Sequence, residues 1–555
     1  MKVRKEAMLM YLEDVVGNVY REWKGGESVF ISAPTGVGKT TFVLNQLVPE
    51  AKRRGKEVLF LSNRTILRDQ IKSIVAKRQE IPNDTEFLRN VEEFDGITLM
   101  SYQKLQAMQE KKSLSQYIEQ YLYVVFDEIH YMLEDSLFNP KIYYIQKFIE
   151  NCSAVKVFLS ATMREAQEYI LTNLLDDKRF DYTRKEKVTN NICKELMNTR
   201  GYVAGIYSYI WYVDFPKQKR KMQVKYFDKF EQIAARINRN KEKWLVFIGN
   251  KGKAGEWTKK IERPYEVVSA ETKETEIVDG IIQNEKFETD VLVTTKLLDN
   301  GVNFKDSALK NIVLDTISEV EFMQMIGRKR LQEGEEITVY IPKKEKKFFV
   351  GYDNLYFMKL QRILEGDLQR KTFIQEVLDV PETYEIVRKF FVHLYVKEDY
   401  DSEEKGVLKL NEAGKYKVEH LHAFVKRMEE AMEEDAYAFV KEQLKWLGQE
   451  SDFSEENDLL YEDRQNEFVN LQNYLQEVKD VELDKDQQNV FREKLTLYIV
   501  LLGNELKSGR TVGKNIITKF FEKQGLPYYI EVKKAAKKGD MSKWIIRRQD
   551  HGLAG

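Results

Sequence analysis

The amino-acid sequence predicts an α/β fold: two units with parallel sheets, then a mainly helical region and a small winged-helix-like module. Short apolar runs alternate with polar, helix-compatible segments in two successive series, a pattern typical of parallel sheets with covered faces. Beyond about residue 350 these runs fade, and large apolar residues recur at helical spacing. We place the domain boundaries at 1–180, 181–348, 349–503 and 504–555, which suits a chain of 555 residues.

The strand candidates are short runs rich in β-branched and aromatic residues. The first series comprises SVFISA (28–33), VLFLS (58–62), ITLMS (97–101), YVVFD (123–127) and VKVFLS (155–160). The second series comprises WLVFIGN (244–250), YEVVSA (265–270), DVLVTT (290–295), NIVLD (311–315) and EITVYI (336–341). Between them, residues 202–227 form a strand-rich segment that we expect to open the second unit.

The net charge of −1 conceals two opposed segments in the last third of the chain. Residues 429–467 contain 14 acidic and three basic residues, whereas residues 505–548 contain 12 basic and four acidic ones. A solvated helical face is the simplest interpretation of the acidic segment, and a docking surface for a protein partner is the alternative. In the basic segment, an apolar helix pattern followed by two strand candidates and a basic turn predicts the winged-helix-like module.

The composition excludes several classes of protein. With 43% hydrophobic residues the chain can bury several cores, and its two cysteines, Cys152 and Cys193, exclude a disulfide framework or a Cys-rich zinc module. Acidic residues interrupt the first apolar stretch, and no apolar run approaches the ~20 residues of a membrane span. We therefore expect a soluble, cytoplasmic protein without a membrane partner.

A glycine-rich loop between the first strand candidate and a helix pattern is the strongest local signal. It reads APTGVGKT (33–40) and matches the Walker A loop, with Ala33 in the first glycine position. Glycines let consecutive backbone N–H groups surround phosphates at a helix N-terminus, while Lys39 reaches the β- and γ-phosphates and Thr40 a Mg²⁺ ion. The alternative, a tight turn with a chance lysine, is disfavoured because strand and helix flank the loop. The residues expected to bind nucleotide here are Pro34, Thr35, Gly36, Val37, Gly38, Lys39, Thr40 and Thr41.

Adjacent carboxylates at the end of the fourth strand candidate supply the second part of phosphoryl-transfer chemistry. Asp127 and Glu128 open the sequence DEIH. We expect Asp127 to hold Mg²⁺ together with Thr40, and Glu128 to polarise the attacking water. Such a pair on its own is usually a solvated turn, but its position in the same unit as the Walker A loop favours the catalytic interpretation.

With these two motifs and five further ones, the chain resembles superfamily-2 helicases and translocases of the DEAD/DEAH type. The further motifs are SAT (160–162), TTKLLDNGVNF (294–304), QMIGRKR (324–330), and the pair LSNRTILRDQ (61–70) and MSYQKL (100–105). Together they span roughly residues 30–330 in the order of the family. No Gln-centred adenine motif precedes residue 33, and the last motif has Leu331 where the family has its second arginine.

The resemblance implies two RecA-like domains with ATP and Mg²⁺ in the cleft between them. On the second wall it places Gln324, with Arg328 as the preferred arginine finger and Arg330 as a substitute or a carboxylate partner. Gly301 is assigned to the nucleotide site, and His130, Ser160 and Thr162 are assigned to the relay that couples the nucleotide to nucleic acid.

The resemblance also implies a groove for nucleic acid across both domains. The residues it places there are Arg64, Thr65, Gln70, Ser101, Tyr102, Asn250, Lys251, Thr294 and Thr295. Basic residues of the tail, next to aromatic ones, provide an independent indication of nucleic-acid binding, with a solvated hairpin as the alternative. The tail residues are Lys533, Lys534, Lys537, Lys538 and Lys543.

Three functions fit these features. The first is a nucleic-acid-dependent ATPase that translocates on and unwinds nucleic acid, with DNA favoured over RNA and 3′-to-5′ polarity taken from the family. The second is a nucleotide-switched clamp that binds nucleic acid without separating its strands. The third is a duplex translocase within a multi-subunit assembly.

Overall fold

The computed structural model describes the greater part of the chain, and two compact units emerge from it. The described residues are 11–34, 36–63, 65–81, 91–110, 118–175, 202–205, 210–214, 222–249, 251–269, 276–295, 302–331, 335–369, 391–396, 405–503, 511–533 and 542–549. The first unit comprises Met1–Gln223 and Ile237–Ser451, and the second comprises Val224–Arg236 and Asp452–Gly555.

An eight-stranded sheet forms the N-terminal lobe of the first unit. Its strands are β1 (Ser28–Ser32), β2 (Glu57–Leu61), β3 (Glu93–Phe94), β4 (Ile97–Met100), β5 (Tyr121–Asp127), β6 (Val155–Ser160), β7 (Tyr202–Gly205) and β8 (Ile210–Asp214). They lie in the order β3-β4-β2-β5-β6-β1-β8-β7, and only the edge strands β3 and β7 run antiparallel to their neighbours. All five strand candidates of the first series are therefore strands of one sheet.

Two hydrophobic clusters cover the two faces of this sheet. Val29 and Ile31 point into one cluster, and Phe30 between them points into the other, as alternation along a strand requires. The covering helices are α1 (Leu12–Val16), α2 (Lys39–Phe42), α3 (Val48–Arg53), α4 (Thr65–Arg78), α5 (Tyr102–Glu110), α6 (Tyr131–Asp135), α7 (Ile142–Asn151) and α8 (Arg164–Tyr169). Burial on both faces explains why these strands read as continuous apolar runs.

The placement of β8 corrects one sequence-based boundary. We expected residues 202–227 to open the second lobe, within the domain 181–348, but β8 pairs in parallel with β1 over its whole length. Ile210–Asp214 is apolar enough to extend either sheet. It pairs with β1 on the side opposite to β6. The first lobe therefore extends to Asp214, beyond the predicted boundary at residue 180.

A second sheet forms the other lobe of the first unit. Its strands are β10 (Lys243–Ile248), β11 (Tyr265–Val268), β12 (Val291–Thr294), β13 (Leu309–Asp315) and β14 (Ile337–Pro342), in the order β11-β12-β10-β13-β14 and all parallel. The accompanying helices are α10 (Lys251–Thr258), α11 (Glu276–Asn284) and α12 (Glu319–Arg328). The strand β9 (Met222–Phe227) and the helix α9 (Phe230–Arg239) cross the division between the two units. The predicted pair of α/β sheets is confirmed.

Three long or medium helices and a hairpin follow the second sheet within the first unit. They are α13 (Lys346–Gln369), β15 (Phe391–Val396), β16 (Lys405–Leu410), α14 (Glu412–Glu434) and α15 (Ala438–Leu447). The antiparallel hairpin β15–β16 was not expected in a region predicted as helical. Its first strand, FVHLYV, consists mainly of aromatic and β-branched residues, which favour a strand.

The second unit has the topology of a winged helix. Its elements are α16 (Leu459–Glu477), β17 (Glu482–Leu483), α17 (Lys485–Leu501), α18 (Lys514–Lys523), β18 (Tyr528–Lys533) and β19 (Lys543–Arg548). The strands form an antiparallel sheet in the order β17-β19-β18, and one core joins Leu471, Phe491 and Phe521 of the three helices to Ile546 of the sheet.

The predicted module is thus correct in kind, but its boundary at residue 504 is not. Two of its three helices and its first strand precede residue 504. The sequence did not separate them from the preceding helices, because their charged surfaces resemble those of the preceding helices. Within the described residues, no helix is both long and apolar enough to span a bilayer.

Candidate nucleotide site

The Walker A loop joins β1 to α2 through two glycines in left-handed backbone conformations. Gly36 has φ +91° and Gly38 has φ +84°, values that side chains strongly disfavour. The carbonyl of Val37 accepts a hydrogen bond from the backbone N–H of Leu12, at 2.9 Å. The Lys39 ammonium donates to the carbonyl of Ala33 across the loop, at 3.0 Å. The loop is therefore closed around its own lysine, while Thr35 lies outside the described residues.

The two acidic residues of DEIH stand at the same edge of the sheet as this loop. Strands β1 and β5 are parallel and separated only by β6, so their carboxyl ends lie side by side. Asp127 and Glu128 are 3% and 5% exposed, respectively. The Ser62 hydroxyl donates to Oδ2 of Asp127 at 3.4 Å. Glu128 has φ +50°, an uncommon conformation for a residue with a side chain.

His130 connects three of the predicted motifs. Its Nδ1 lies 2.7 Å from Oγ of Ser160 and 3.4 Å from Oε2 of Glu128. On the other side of the ring, Nε2 is in hydrogen-bond contact with the side-chain amide of Gln324 from α12. Ser160 Oγ in turn accepts a hydrogen bond from the backbone N–H of Thr162, at 2.9 Å. The structure therefore brings these five predicted residues together and joins the two lobes through His130.

The two arginines of the last motif differ sharply in their surroundings. Arg328 is 3% exposed, and its Nη1 donates to the carbonyl of Val302 at 3.5 Å. Arg330 instead donates from Nε to Asn303 at 2.9 Å and reaches the Walker A loop, where a methyl group added to Gly36 would stand 3.5 Å from its Nη1. Of the two, Arg330 is therefore the guanidinium beside the Walker A loop, and the choice of the finger between them stays a prediction.

Comparison with known protein families agrees with this geometry. Residues 4–165 match the family model described as the res subunit of type III restriction enzymes (ResIII). This match spans β1 to β6 and includes the Walker A loop, DEIH and SAT. No curated protein sequence matches this chain.

Solved helicase structures also match this chain, with low identity. Dbp5 of Saccharomyces cerevisiae, bound to RNA and ADP BeF3, has 13% identity and a TM-score of 0.36 over 57% of this chain and 79% of that chain. The helicase Lhr of Mycobacterium smegmatis, bound to ssDNA and AMP-PNP, has 15% identity and a TM-score of 0.37 over 62% of this chain and 46% of that chain.

The donors at the nucleotide site suit Mg²⁺ delivered together with a nucleotide. Thr40 lies in the first turn after the loop and is partly exposed, and Asp127 supplies a carboxylate at the neighbouring strand end. The described residues contain no cluster of three or more His, Cys, Asp or Glu able to hold a metal by themselves. One hydroxyl and one carboxylate, completed by phosphate oxygens and water, are a usual Mg²⁺ environment in ATPases.

Two of the residues predicted to line the nucleic-acid groove are buried. Tyr102 is 1% exposed, its ring stacks on Tyr131 and its hydroxyl donates to the carbonyl of Asp127 at 2.9 Å. Burial raises the pKa of this hydroxyl, so it remains a donor. Thr294 is also 1% exposed, with its hydroxyl bonded to the carbonyl of Thr295. These two residues, Tyr102 and Thr294, support the strand ends and cannot line a groove in this conformation.

The remaining groove residues stay candidates. Gln70 is exposed on α4, Thr295 is partly exposed, and Ser101 accepts a hydrogen bond from the backbone N–H of Lys104 at the start of α5. The predicted site residues outside the described part of the chain are Arg64, Asn250, Gly301, Lys534, Lys537 and Lys538, and the side chains of Thr65 and Lys251 lie outside it too.

Charged residues of the tail form ion pairs within the second unit. Lys533 of β18 and Lys543 of β19 both contact Glu482 of β17, and Arg547 contacts Glu531 and Asp480. All of these side chains are more than one third exposed, so each pair contributes little to stability and can be exchanged for phosphate. The sheet therefore offers lysines for a polyanion, but each has an acidic competitor.

The acidic segment 429–467 is similarly engaged. In the first unit Glu433 pairs with Lys346, and in the second unit Asp463 pairs with Arg236. These contacts fit the interpretation of solvated and locally paired helical faces. A protein partner for this segment remains a prediction.

One residue near the loop was missed by sequence reasoning. Tyr11 is 51% exposed, and its Cδ1 would stand 3.6 Å from a methyl group added to Gly38. Its position beside the phosphate loop suits contact with a nucleotide. A single tyrosine before a short helix carries no pattern that could have identified it.

Proposed function

We propose that this chain is a superfamily-2 helicase-type ATPase that couples hydrolysis to translocation along nucleic acid and to strand separation, acting on DNA rather than RNA and moving 3′ to 5′. The matched family model is named for a restriction enzyme subunit, which favours DNA. The polarity is taken from the family that the motifs resemble. A protein partner at residues 429–467 is a further part of the proposal.

The single observation that supports this proposal is the meeting of both lobes at one loop. Gln324 contacts His130, and Arg330 stands over Gly36, so residues from the second sheet complete a site built on the first. A change in the distance between the lobes necessarily alters both contacts. Hydrolysis is thereby sensitive to lobe movement, as translocation requires.

Each residue of the site receives a role from its position. We assign Lys39 to the phosphates in place of its contact with Ala33, and Thr40 with Asp127 to Mg²⁺, which neutralises charge on the phosphates when bound. Glu128 accepts the proton of the attacking water and His130 orients Glu128. Arg330 stabilises negative charge on the transferring phosphoryl group when the lobes close.

A strand-displacement assay tests the function directly. Duplexes with a 3′ or a 5′ single-stranded tail, in DNA and RNA versions, are incubated with the full chain and ATP. We expect ATP-dependent release of the labelled strand from the 3′-tailed DNA. Binding without release would favour the nucleotide-switched clamp, and displacement of a triplex-forming strand without unwinding would favour the duplex translocase.

A further inference from the structure

A buried lysine from the helical region contacts the two segments that carry the relay residues. The ammonium of Lys417, on α14, lies 2.8 Å from Oε1 of Glu134 and 2.7 Å from Oε2 of Glu165, and donates to Oε1 of Glu165 at 2.9 Å. The Lys417 side chain is 3% exposed. The buried Lys417 ammonium needs a stronger reason than solubility, because charged side chains are costly to bury, and its carboxylate partners Glu134 and Glu165 are themselves only 24% and 14% exposed.

The two carboxylates follow directly after the relay residues in the chain. Glu134 is on α6, four residues after His130, and its backbone N–H donates to the carbonyl of His130 at 3.2 Å. Glu165 is in the first turn of α8, three residues after Thr162. Lys417 therefore fastens the helix that follows DEIH to the helix that follows SAT. The relay residues that precede these two helices, His130 and Ser160, are themselves in contact, with Nδ1 of His130 2.7 Å from Oγ of Ser160.

Electrostatics keep this contact charged. Burial alone would lower the pKa of Lys417, but the attraction of Glu134 and Glu165 outweighs burial and raises this pKa. The Lys417 ammonium therefore stays protonated at neutral pH.

Neighbouring contacts anchor the start of α14 to the same lobe. The fully buried side chain of Asn411 donates to the carbonyls of Ser136 and Asn139, at 3.2 and 3.3 Å. The ring of Tyr416 lies 4.9 Å from that of Tyr169 at the end of α8. The beginning of α14 is thus attached to the N-terminal lobe at several points around the relay.

The next helix is attached to the other lobe. Trp446 of α15 packs edge-to-face on Phe322 of α12, with ring centroids 5.2 Å apart, and Phe322 precedes Gln324 by two residues. Gln443 of the same helix donates to the carbonyl of Pro342, at the end of β14, at 3.2 Å. Helices α14 and α15 therefore hold both partners of the His130–Gln324 contact.

We propose that Lys417 is a positioning residue for ATP hydrolysis. By holding Glu134 and Glu165 together it fixes the spacing of His130 and Ser160, and it transmits the position of α14 and α15 to the nucleotide site. This inference rests on the proposed function, because it assumes that His130 takes part in hydrolysis. Helices α14 and α15 then respond to closure of the two lobes and influence hydrolysis through Lys417.

Substitutions that remove the charges together test this role without leaving a buried charge unpaired. The triple variant K417M/E134Q/E165Q replaces the ionic contact by neutral groups of similar size, and E165Q alone leaves Lys417 paired with Glu134. K417R retains the charge. K346M is the matched control, because Lys346 forms an ion pair with Glu433 at the exposed far end of α14.

The readouts separate positioning from structural support. Binding of AMP-PNP to the full chain measures the fraction of protein with an intact nucleotide site. The values of kcat and KM for ATP are then measured with and without a single-stranded DNA oligonucleotide. We expect the triple variant to bind AMP-PNP as wild type does and to lose about tenfold in DNA-stimulated kcat per binding site. E165Q should lose less, and K417R and K346M should keep most of the activity.

Two results would overturn the proposal. One is a triple variant with wild-type kcat and wild-type stimulation, and the other is a loss of kcat that follows the loss of AMP-PNP binding in all variants. Failure of the proposed function is recognised separately, because the wild-type chain itself would then show no stimulation by nucleic acid.

Discussion

Glu128 combines a catalytic assignment with a backbone conformation that few residues with side chains adopt. Its φ of +50° costs about 1–3 kcal/mol, which the surrounding structure must offset. The backbone N–H of Ile129 donates to the carbonyl of Leu159, and that of Tyr131 donates to the carbonyl of Glu128. The first bond holds the DEIH turn to β6, and the second closes the turn itself. Together they fix the position of the Glu128 carboxylate relative to His130.

At the same scale, the two arginines should respond differently to substitution. Arg330→Ala should leave ATP binding intact and lower kcat by about 10³-fold, because a guanidinium is lost next to Gly36. Arg328→Ala should act mainly by lowering the thermal unfolding midpoint, because this side chain is buried. Equal loss of kcat in both variants, with unchanged unfolding midpoints, would contradict the assignment of Arg330.

The sequence could identify the arginine pair but could not choose between its members. Spacing in the motif favoured Arg328, since Leu331 occupies the place of the usual second arginine. The choice depends on a tertiary feature, the bridge of Lys329 to Phe304, where Phe304 accepts from the N–H of Arg330 and donates to the carbonyl of Arg328. Such a pairing has no local signature.

At the scale of single elements, α3 contains a carboxylate with a strongly shifted pKa. Hydrogen bonds from Arg53, opposed by burial and assisted by Arg54, lower the pKa of Glu50 to about 2. The carboxylate of Glu50 is 4% exposed and joins both guanidinium groups within one helical turn. The end of α3 is therefore fastened by charge-assisted hydrogen bonds.

This shift predicts a pH-dependent stability difference. Because the pKa of Glu50 is lower in the folded chain than the ~4.3 of an unfolded one, its contribution is present above that pH and is lost as pH falls towards 2. Glu50→Gln should lower stability by about 1–2 kcal/mol at pH 7 and by much less at pH 3. Thermal unfolding of E50Q, with E110Q as the exposed control, checks this. A difference that is the same at both pH values would contradict it.

The sheet of the winged helix gives a second prediction at this scale. Glu482→Gln should strengthen binding of duplex DNA and steepen its salt dependence, because Lys533 and Lys543 lose their shared acidic competitor. The hydrogen bonds of Lys533 and then Lys543 lower the pKa of Glu482, so this carboxylate competes at neutral pH. Fluorescence anisotropy at two salt concentrations measures the change, and K533E/K543E is the opposite variant. Unchanged affinity in both would exclude the sheet as a DNA contact.

Local sequence patterns were sufficient to identify the central strands of the first sheet, but they were insufficient to assign β8 to that sheet. Strands β1, β2, β5 and β6 are buried on both faces, so their sequences are continuous apolar runs that stand out from the helices. The strand β8 has a similar composition, but its neighbour β1 is 178 residues or more away in the chain. Its sheet therefore depends on chain connectivity that no window of sequence contains.

At the scale of the whole molecule, the first unit consists of two lobes with a built-in connection. The lobes meet at His130 and Gln324, and helices α14 and α15 attach to each lobe next to these residues. The sequence predicted two sheets and the nucleotide site from motif order. It could not predict the connection, because Lys417 is one lysine among many on a charged helix and only folding places it between two carboxylates.

The central claim, hydrolysis of ATP at this site under the control of nucleic acid, is tested most directly by ATP turnover in matched variants. Turnover is measured with and without nucleic acid for wild type, K39A, E128Q and the control K52A. The control lysine, Lys52, lies on α3 and its side chain is 46% exposed. We predict stimulation in wild type and K52A, weak ATP binding and no turnover in K39A, and normal ATP binding with a loss of about 10²–10⁴-fold in E128Q. Undiminished, nucleic-acid-stimulated turnover in both K39A and E128Q would contradict the account.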